Sequence, residues 1–159
     1  MELALHKLEI KKAAKDDWNS ILKLLEEADL TTWFTGSESY KNFYIVKDPN
    51  DKTMICCFAI ELENEIGILK SFAIKKEFRG KGTGKYIVDK YILELAKSLK
   101  IKKLFAASME APIFWRKTVF NEIKIQDVDN KFFLNYLNNF KDKIENYFEQ
   151  TALFCLELI

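Results

Sequence analysis

Residues 66–88 read IGILKSFAIKKEFRGKGTGKYIV, and this stretch decides the fold. An apolar strand runs to Ile74, a short charged link follows, and the glycines of residues 80–84 then open a helix with apolar periodicity. Glycine loses the most backbone entropy on ordering, so this density of glycine indicates a place where bare backbone approaches a ligand. Amides at a helix N-terminus bind anions, and neighbouring lysines add positive charge. The pattern predicts a phosphate cradle.

The spacing of the glycines excludes two familiar nucleotide-binding loops. A Walker A loop has four residues between its glycines and then Lys-Ser/Thr, whereas three residues separate Gly80 from Gly84. The dinucleotide fingerprint needs its third glycine at the position that Lys85 occupies. The pattern that fits is Arg-x-x-Gly-x-Gly, with Arg79, Gly82 and Gly84 at the fixed places. The alternative is a glycine-rich turn that only joins a strand to a helix.

Composition places the chain among ordinary globular proteins. Its 159 residues are 48% apolar and 31% charged, with a net charge of +1, so we expect a single domain over residues 1–159. The charge balance argues against nucleic acid or a membrane as partner. Because the sequence has no spanning apolar run and no signal-peptide pattern, we expect a cytoplasmic protein. A single histidine, His6, and three cysteines in apolar settings argue against a dedicated metal site.

Hydrophobic periodicity predicts the order of helices and strands. Strand patterns cover residues 3–12, 43–47, 53–63, 65–75, 101–108, 122–128 and 152–159. Helical patterns follow an N-cap at Asp16, follow the glycine loop, and begin at Pro112. Residues 29–42 carry small and polar residues that indicate a short, loosely helical connection.

An unusually long connection precedes the last strand. Aromatic and aliphatic residues recur at helical spacing over residues 131–150, with no glycine or proline among them. This periodicity favours an amphipathic helix, or a helix pair, packed on the sheet. The alternatives are a lid on an acceptor pocket and the face of a homodimer.

The strand written Leu-Lys-Ser-Phe-Ala-Ile, followed by the arginine–glycine pattern, resembles the acetyl-CoA-binding segment of the GNAT superfamily of N-acyltransferases. The predicted order β-α-α-β-β-β-α-β-α-β-β is also that of the superfamily, so the resemblance covers nearly the whole chain. It implies an α/β (α+β) fold with a mixed, mostly antiparallel sheet splayed around acyl-CoA, here with an extra helical insertion before the last strand. Residues 42–71 are similar to amino-acid N-acetyltransferases of the glutamate-synthase and arsenic-resistance type.

The resemblance implies acetyl-CoA as cofactor and a small-molecule amine, with amino acids as one candidate class, as acceptor. In this family the amine attacks directly in a ternary complex. Backbone groups of Phe72 and Ile74 would pair with the acetyl carbonyl and the pantetheine arm, and an N–H of Phe72 would stabilise the oxyanion. The implied cofactor-binding residues are Phe72, Ala73, Ile74, Arg79, Gly80, Lys81, Gly82, Thr83, Gly84, Lys85, Ser108 and Trp115.

Two positions depart from the family's catalytic pattern. Ile68 stands where many relatives carry a glutamate base, and Trp115 stands where many carry a tyrosine that protonates the leaving thiolate. A thiol pKa of about 8.5 lets the thiolate depart without an acid, at some loss of rate. The remaining candidate bases are Glu65, Glu63 and Glu110, each of which could equally be a surface carboxylate. The alternative function is therefore an acyl-CoA-binding protein with weak or no catalysis.

Lys70 is the candidate for recognition of the acceptor. On a regular strand it shares a face with Ile68 and Phe72, because side chains alternate with period two. Since the resemblance places the Ile68 position beside the acceptor amine, Lys70 and Ile68 are predicted to line the acceptor site. Lys70 would then pair with the carboxylate of an amino-acid acceptor. The alternative is that Lys70 extends along the sheet and leaves its ammonium in water.

Overall fold

A computed structural model describes residues 3–30 and 39–158, which contain seven strands. These are β1 (Glu9–Lys12), β2 (Phe43–Lys47), β3 (Met54–Glu63), β4 (Ile66–Ile74), β5 (Lys103–Ser108), β6 (Asn121–Ile123) and β7 (Ala152–Glu157). They form one sheet in the order β1-β2-β3-β4-β5-β7-β6. The pairs β1/β2, β2/β3, β5/β7 and β6/β7 are antiparallel. The mixed, mostly antiparallel sheet predicted from the sequence is confirmed.

The helices of the described residues are mostly short. They are α1 (Trp18–Glu27), α2 (Thr83–Tyr86), α3 (Leu93–Ser98), α4 (Pro112–Arg116), α5 (Lys131–Lys141) and α6 (Tyr147–Gln150). A π-helical segment, Ile87–Ile92, joins α2 directly to α3. Over residues 3–30 and 39–158, no helix combines the length and apolar character that crossing a membrane requires.

The chain divides into two compact units. Unit 1 comprises Met1–Glu61 and Leu69–Ile87, and unit 2 comprises Leu62–Ile68 and Val88–Ile159. In unit 1, α1 buries one apolar face because its aliphatic residues recur at helical spacing. Its core residues are Ala13, Ile21, Leu24, Leu25, Phe43, Ile45, Cys57, Ala59 and Ala73.

The core of unit 2 is built around the long connection before β7. Residues 131–150 form α5 and α6, and Asn146 between them adopts a left-handed conformation with φ of 56°. Asn130 caps α5, since its side-chain oxygen accepts from the Phe133 amide at 3.0 Å. The buried cluster that these helices join is Ile68, Phe105, Val128, Phe133, Leu137, Tyr147, Leu153 and Cys155. The predicted helix pair packed on the sheet is therefore confirmed.

Three local predictions are wrong. The first strand was expected over residues 3–12 but spans only Glu9–Lys12, because Lys7 donates its amide to Ala4 in a 3₁₀ turn. Asp16 is not an N-cap, since it lies inside a 3₁₀ turn whose Asp17 carboxylate accepts the Ala14 amide at 2.8 Å. The strand expected over 122–128 stops at Ile123. Ile123 pairs with Leu153, the second residue of β7, so β7 offers almost no further residues to pair with, and a 3₁₀ turn follows.

The other predicted elements stand within about two residues of their expected bounds. The loosely helical connection predicted over 29–42 lies largely outside the described residues, and its described end forms a 3₁₀ turn over Ser39–Asn42. Whether residues 1–159 act as one domain stays a prediction.

Candidate functional site

The second half of β4 departs from regular strand geometry at Ser71. Its φ of 57° lies in the left-handed region, which a non-glycine residue rarely adopts within a strand. A left-handed residue in a strand is the conformation of one type of β-bulge, and bulges re-aim the groups that follow them. Phe72 follows directly, and its ring lies 6.5 Å from that of Phe58. The backbone predicted to meet the acetyl group therefore begins directly after the irregular residue of β4.

The link after β4 is tied back to the strand by Arg79. Its guanidinium Nε donates to the Ile74 carbonyl at 2.8 Å, so the arginine of the motif holds the last residue of β4. Between them, Lys76–Phe78 make a 3₁₀ turn closed by the Phe78 amide on the Lys75 carbonyl at 2.9 Å. These contacts fix where the glycine loop leaves the strand.

Gly80 and Gly82 both adopt left-handed conformations, with φ of 74° and 79°. A Cβ added at either residue would meet no atom within 4 Å. Glycine is therefore required here by backbone conformation and not by crowding within the chain. The open space beside both residues leaves room for a ligand to approach the backbone, which fits a group with phosphates.

Gly82 also forms the N-terminal boundary of α2. The first intrahelical bond joins the Tyr86 amide to the Gly82 carbonyl at 3.0 Å. The amides of Thr83 and Gly84 therefore belong to the first turn, whose N–H groups have no intrahelical partner. Thr83 and Gly84 are buried, whereas Lys81 and Lys85 are exposed. The loop thus combines helix N-terminal amides with exposed positive side chains, the two features that favour an anion.

An ion pair lies just before Ser71. Lys70 Nζ pairs with Oε1 of Glu61 on β3. The Lys70 side chain is 11% exposed and that of Glu61 33% exposed, so the lysine is the inner partner. A lysine side chain with so little exposure favours such a partner, because an unpaired charge away from water pays a large desolvation cost. The ammonium is therefore paired within the protein, and a role for Lys70 toward an acceptor stays a prediction.

Ile68, predicted beside the acceptor, is fully buried in the cluster of unit 2. The cluster has stacked aromatic rings, with Phe105 and Phe133 centroids 4.5 Å apart. Burial raises the pKa of the nearby Tyr147 phenol to about 12, with a smaller contribution from the Glu110 carboxylate. Ile68 is therefore a core side chain, and its place beside an acceptor stays a prediction.

The two unit 2 residues predicted to contact the cofactor also have structural partners. The Ser108 hydroxyl accepts the Ala111 amide at 3.0 Å and is buried. The Trp115 indole is 7% exposed and meets Phe114 and Phe120 edge to face, at centroid distances of 5.2 and 5.4 Å. These contacts account for both side chains without a ligand, and their cofactor roles stay predictions.

The predicted bases are all exposed carboxylates. Glu65 pairs with Lys102 at 3.0 Å, while Glu63 and Glu110 lie on the surface of unit 2. None of the three is buried in a way that would favour catalysis. Within the described residues, no three side chains of the metal-binding types lie together.

Sequence reasoning missed Glu61 and Ser71. The two-residue turn at Asn64–Glu65 sets a hairpin register in which residues 61 and 70 are diagonal neighbours, and that spacing could have revealed the pair. The left-handed conformation of Ser71 had no sequence signal, because a glycine or asparagine would normally mark it.

No protein-family model matches this sequence, and no curated protein matches it. Solved structures do. Rv2747 from Mycobacterium tuberculosis, in complex with CoA, has a TM-score of 0.72 at 20% identity, covering 95% of this chain and 99% of that one. A GNAT-family acetyltransferase from Staphylococcus aureus has a TM-score of 0.65 at 16% identity, covering 96% and 99%.

N-acetylglutamate synthase from Neisseria gonorrhoeae, complexed with coenzyme A and L-arginine, has a TM-score of 0.72 at 16% identity. The match covers 95% of this chain, which spans only 33% of the synthase chain. At such identities the likeness shows the fold alone. The chain therefore has the fold of these acetyltransferases.

Proposed function

We propose that the chain is an acetyl-CoA-dependent N-acetyltransferase acting on a small amine, with residues 1–159 working as one domain. The observation that carries this proposal is the strand–loop–helix of unit 1. There, Gly82 of the arginine–glycine pattern is left-handed, as is Gly80 inside the pattern, and both face open space before a helix. The acetyltransferase fold supports the same assignment.

The glycine loop would hold the cofactor's pyrophosphate. The amides of residues 80–84 lie in the loop and in the first turn of the helix that follows, and the exposed side chains of Lys81 and Lys85 add positive charge. Arg79 would act by fixing the loop on Ile74, with its remaining guanidinium nitrogens directed to phosphate. Acetyl-CoA supplies the activated thioester when bound.

The end of β4 would orient the acetyl group and the pantetheine arm. Backbone groups of Phe72, Ala73 and Ile74 would pair with them as an added strand does. The N–H of Phe72, re-aimed by the left-handed Ser71, would donate to the developing oxyanion. A preorganised donor of this kind is worth about 3 kcal/mol of transition-state stabilisation.

An amino acid as the acceptor is the finer proposal, and it rests on Lys70 and the similarity to amino-acid N-acetyltransferases. Lys70 lies in unit 1 close to the proposed oxyanion donor. Its ammonium is already paired with Glu61, so an acceptor carboxylate would have to share Lys70 or displace Glu61. Ile68 would bear on the acceptor only through a rearrangement of its buried cluster.

A catalytically weak or inactive acyl-CoA-binding protein is the second candidate. The observation that favours it is the packing of Ile68 and Trp115, which replace the family's base and acid with core side chains. A cofactor groove built from backbone would survive such replacements, whereas proton transfer would not.

The test is to mix the full chain with acetyl-CoA and pools of small amines and to follow thiol release. We expect release above the hydrolysis background in at least one pool. Binding of acetyl-CoA without release in any pool would favour the second candidate. Absence of binding would overturn both.

A further inference from the structure

We infer that Glu61 is the carboxylate that receives the acceptor amine. It accepts hydrogen bonds from the acceptor's ammonium and takes up the proton that leaves before the nitrogen can attack. This inference rests on the proposed function, and it names a side chain for a role that the family's usual position, Ile68, no longer fills.

The Glu61–Lys70 pair is oriented with its carboxylate outward. Lys70 is 11% exposed and Glu61 33% exposed, so the pair presents its carboxylate, and not its ammonium, toward water. Lys70 engages Oε1, and among the described residues Oε2 of Glu61 accepts no hydrogen bond. A carboxylate pinned through one oxygen keeps the other in a fixed position as an acceptor.

The Glu61–Lys70 pair lies beside the irregular part of β4. Lys70 immediately precedes the left-handed Ser71, and Phe72 follows. The pinned carboxylate is therefore attached to the same stretch of unit 1 as the backbone proposed to hold the acetyl carbonyl. An amine bound to Glu61 lies close to that backbone.

The outward carboxylate of Glu61 determines which charge on an acceptor the site attracts. An acceptor's carboxylate would meet the carboxylate of Glu61 as a like charge, whereas an ammonium would complete the lysine–glutamate pair as an alternating array. The amine of the acceptor, and not a carboxylate, is therefore the group that this pair binds, so this inference competes with the finer proposal that Lys70 pairs with the carboxylate of an amino acid.

The proton and electron balance is simple. Glu61 Oε2 removes one proton from the ammonium, and the nitrogen lone pair then bonds to the acetyl carbonyl carbon. The carbon–sulfur bond breaks, and its electron pair leaves on the sulfur. The second proton lost by the nitrogen passes to that sulfur, so the products are the amide, the thiol and a protonated Glu61 that returns its proton to water.

Binding gives the first test. Phenethylamine, phenylpropionate and phenylalanine are titrated calorimetrically into the wild type, Glu61→Gln and the control Glu94→Gln, which breaks an exposed helical pair with Lys90. We expect the wild type and the control to bind phenethylamine but not phenylpropionate. Glu61→Gln should lose at least about tenfold in affinity for the amine.

Three binding results would overturn the inference. They are unchanged amine affinity in Glu61→Gln, tighter binding of phenylpropionate than of phenethylamine, and no binding of the amine by the wild type. Should Glu61→Gln fail to fold because Lys70 loses its counter-charge, the double variant Glu61→Gln/Lys70→Met removes both charges and is read in the same way.

The pH profile gives the second test and separates this role from a structural one. With acetyl-CoA and phenethylamine, we expect Glu61→Gln to lower kcat at least about tenfold at neutral pH. The deficit should shrink as the pH passes the amine's own pKa of about 10, where the acceptor is already neutral. Glu61→Asp should restore part of the rate, and the KM for acetyl-CoA should not change. An equal loss at every pH would mean that the pair only stabilises the fold.

The two tests also separate this inference from the proposed function. Amine binding that depends on Glu61, without transfer by the wild type, would refute the enzyme and keep the site. Transfer that is independent of Glu61 would refute the site and keep the enzyme.

Discussion

The glycine loop of unit 1 and the α4 region of unit 2 differ in how well they match the sequence pattern that points to acetyl transfer. In the loop, Gly80 and Gly82 adopt the left-handed conformations that only glycine takes at low cost, and Arg79 anchors the loop to β4. In the α4 region, Trp115 packs among aromatic rings, and the Ser108 hydroxyl serves the Ala111 amide.

This difference separates two ways of building a site. A function carried by backbone amides needs only the residues that give the backbone its course, so it persists while most side chains change. A function carried by a side chain is lost when that position joins the core. The comparison predicts strong cofactor binding by the loop and little dependence of chemistry on Trp115.

The largest effect is expected in the loop. Gly82→Asp should weaken CoA binding at least about a hundredfold, because a carboxylate would stand where the pyrophosphate approaches and would repel it. The added Cβ meets no atom within 4 Å, so the fold should survive with a modest strain cost. Calorimetric titration with CoA measures the affinity, and circular dichroism monitors the fold.

The matched control for this change is Gly82→Asn. Asparagine has the size of aspartate and tolerates the left-handed region equally, but it carries no charge. We expect a smaller loss of affinity than for Gly82→Asp. Equal CoA affinity in Gly82→Asp and the wild type would mean that the loop does not hold the pyrophosphate.

A smaller effect is expected at Trp115. Trp115→Tyr should lower the free energy of unfolding by about 1–3 kcal/mol, because the ring loses contacts with Phe114 and Phe120 and buries a hydroxyl. Acetyl transfer, measured as thiol release, should not fall. A tenfold or larger loss of kcat with an intact fold would show instead that the indole shapes the cofactor groove.

Much of this comparison was predictable from the sequence. Glycine spacing marked the loop, and nearly continuous apolar runs located strands such as β3 and β4, because backbone conformation and burial leave direct marks on composition. The helix pair of residues 131–150 was visible for the same reason. These are local signals, which depend on residues that are neighbours in the sequence.

The rest depended on interactions that composition does not record. The first strand was overestimated because its expected beginning forms a 3₁₀ turn, so that only Glu9–Lys12 pair with β2. Finding the Glu61–Lys70 pair requires the register of the hairpin, and finding which partner faces water requires the exposed fractions of both side chains. The conformation of the glycine loop was therefore predictable from the sequence, whereas a side-chain pair that meets across two strands was not.

The most direct test of the central claim follows the backbone amides of the loop. The chain has five glycines, three of them at positions 80, 82 and 84, so their amide resonances can be assigned and followed as CoA is added to labelled protein. We predict that these three signals shift together and saturate with the affinity measured by calorimetry. Binding of CoA that leaves all three signals unmoved would mean that the glycine loop does not hold the cofactor.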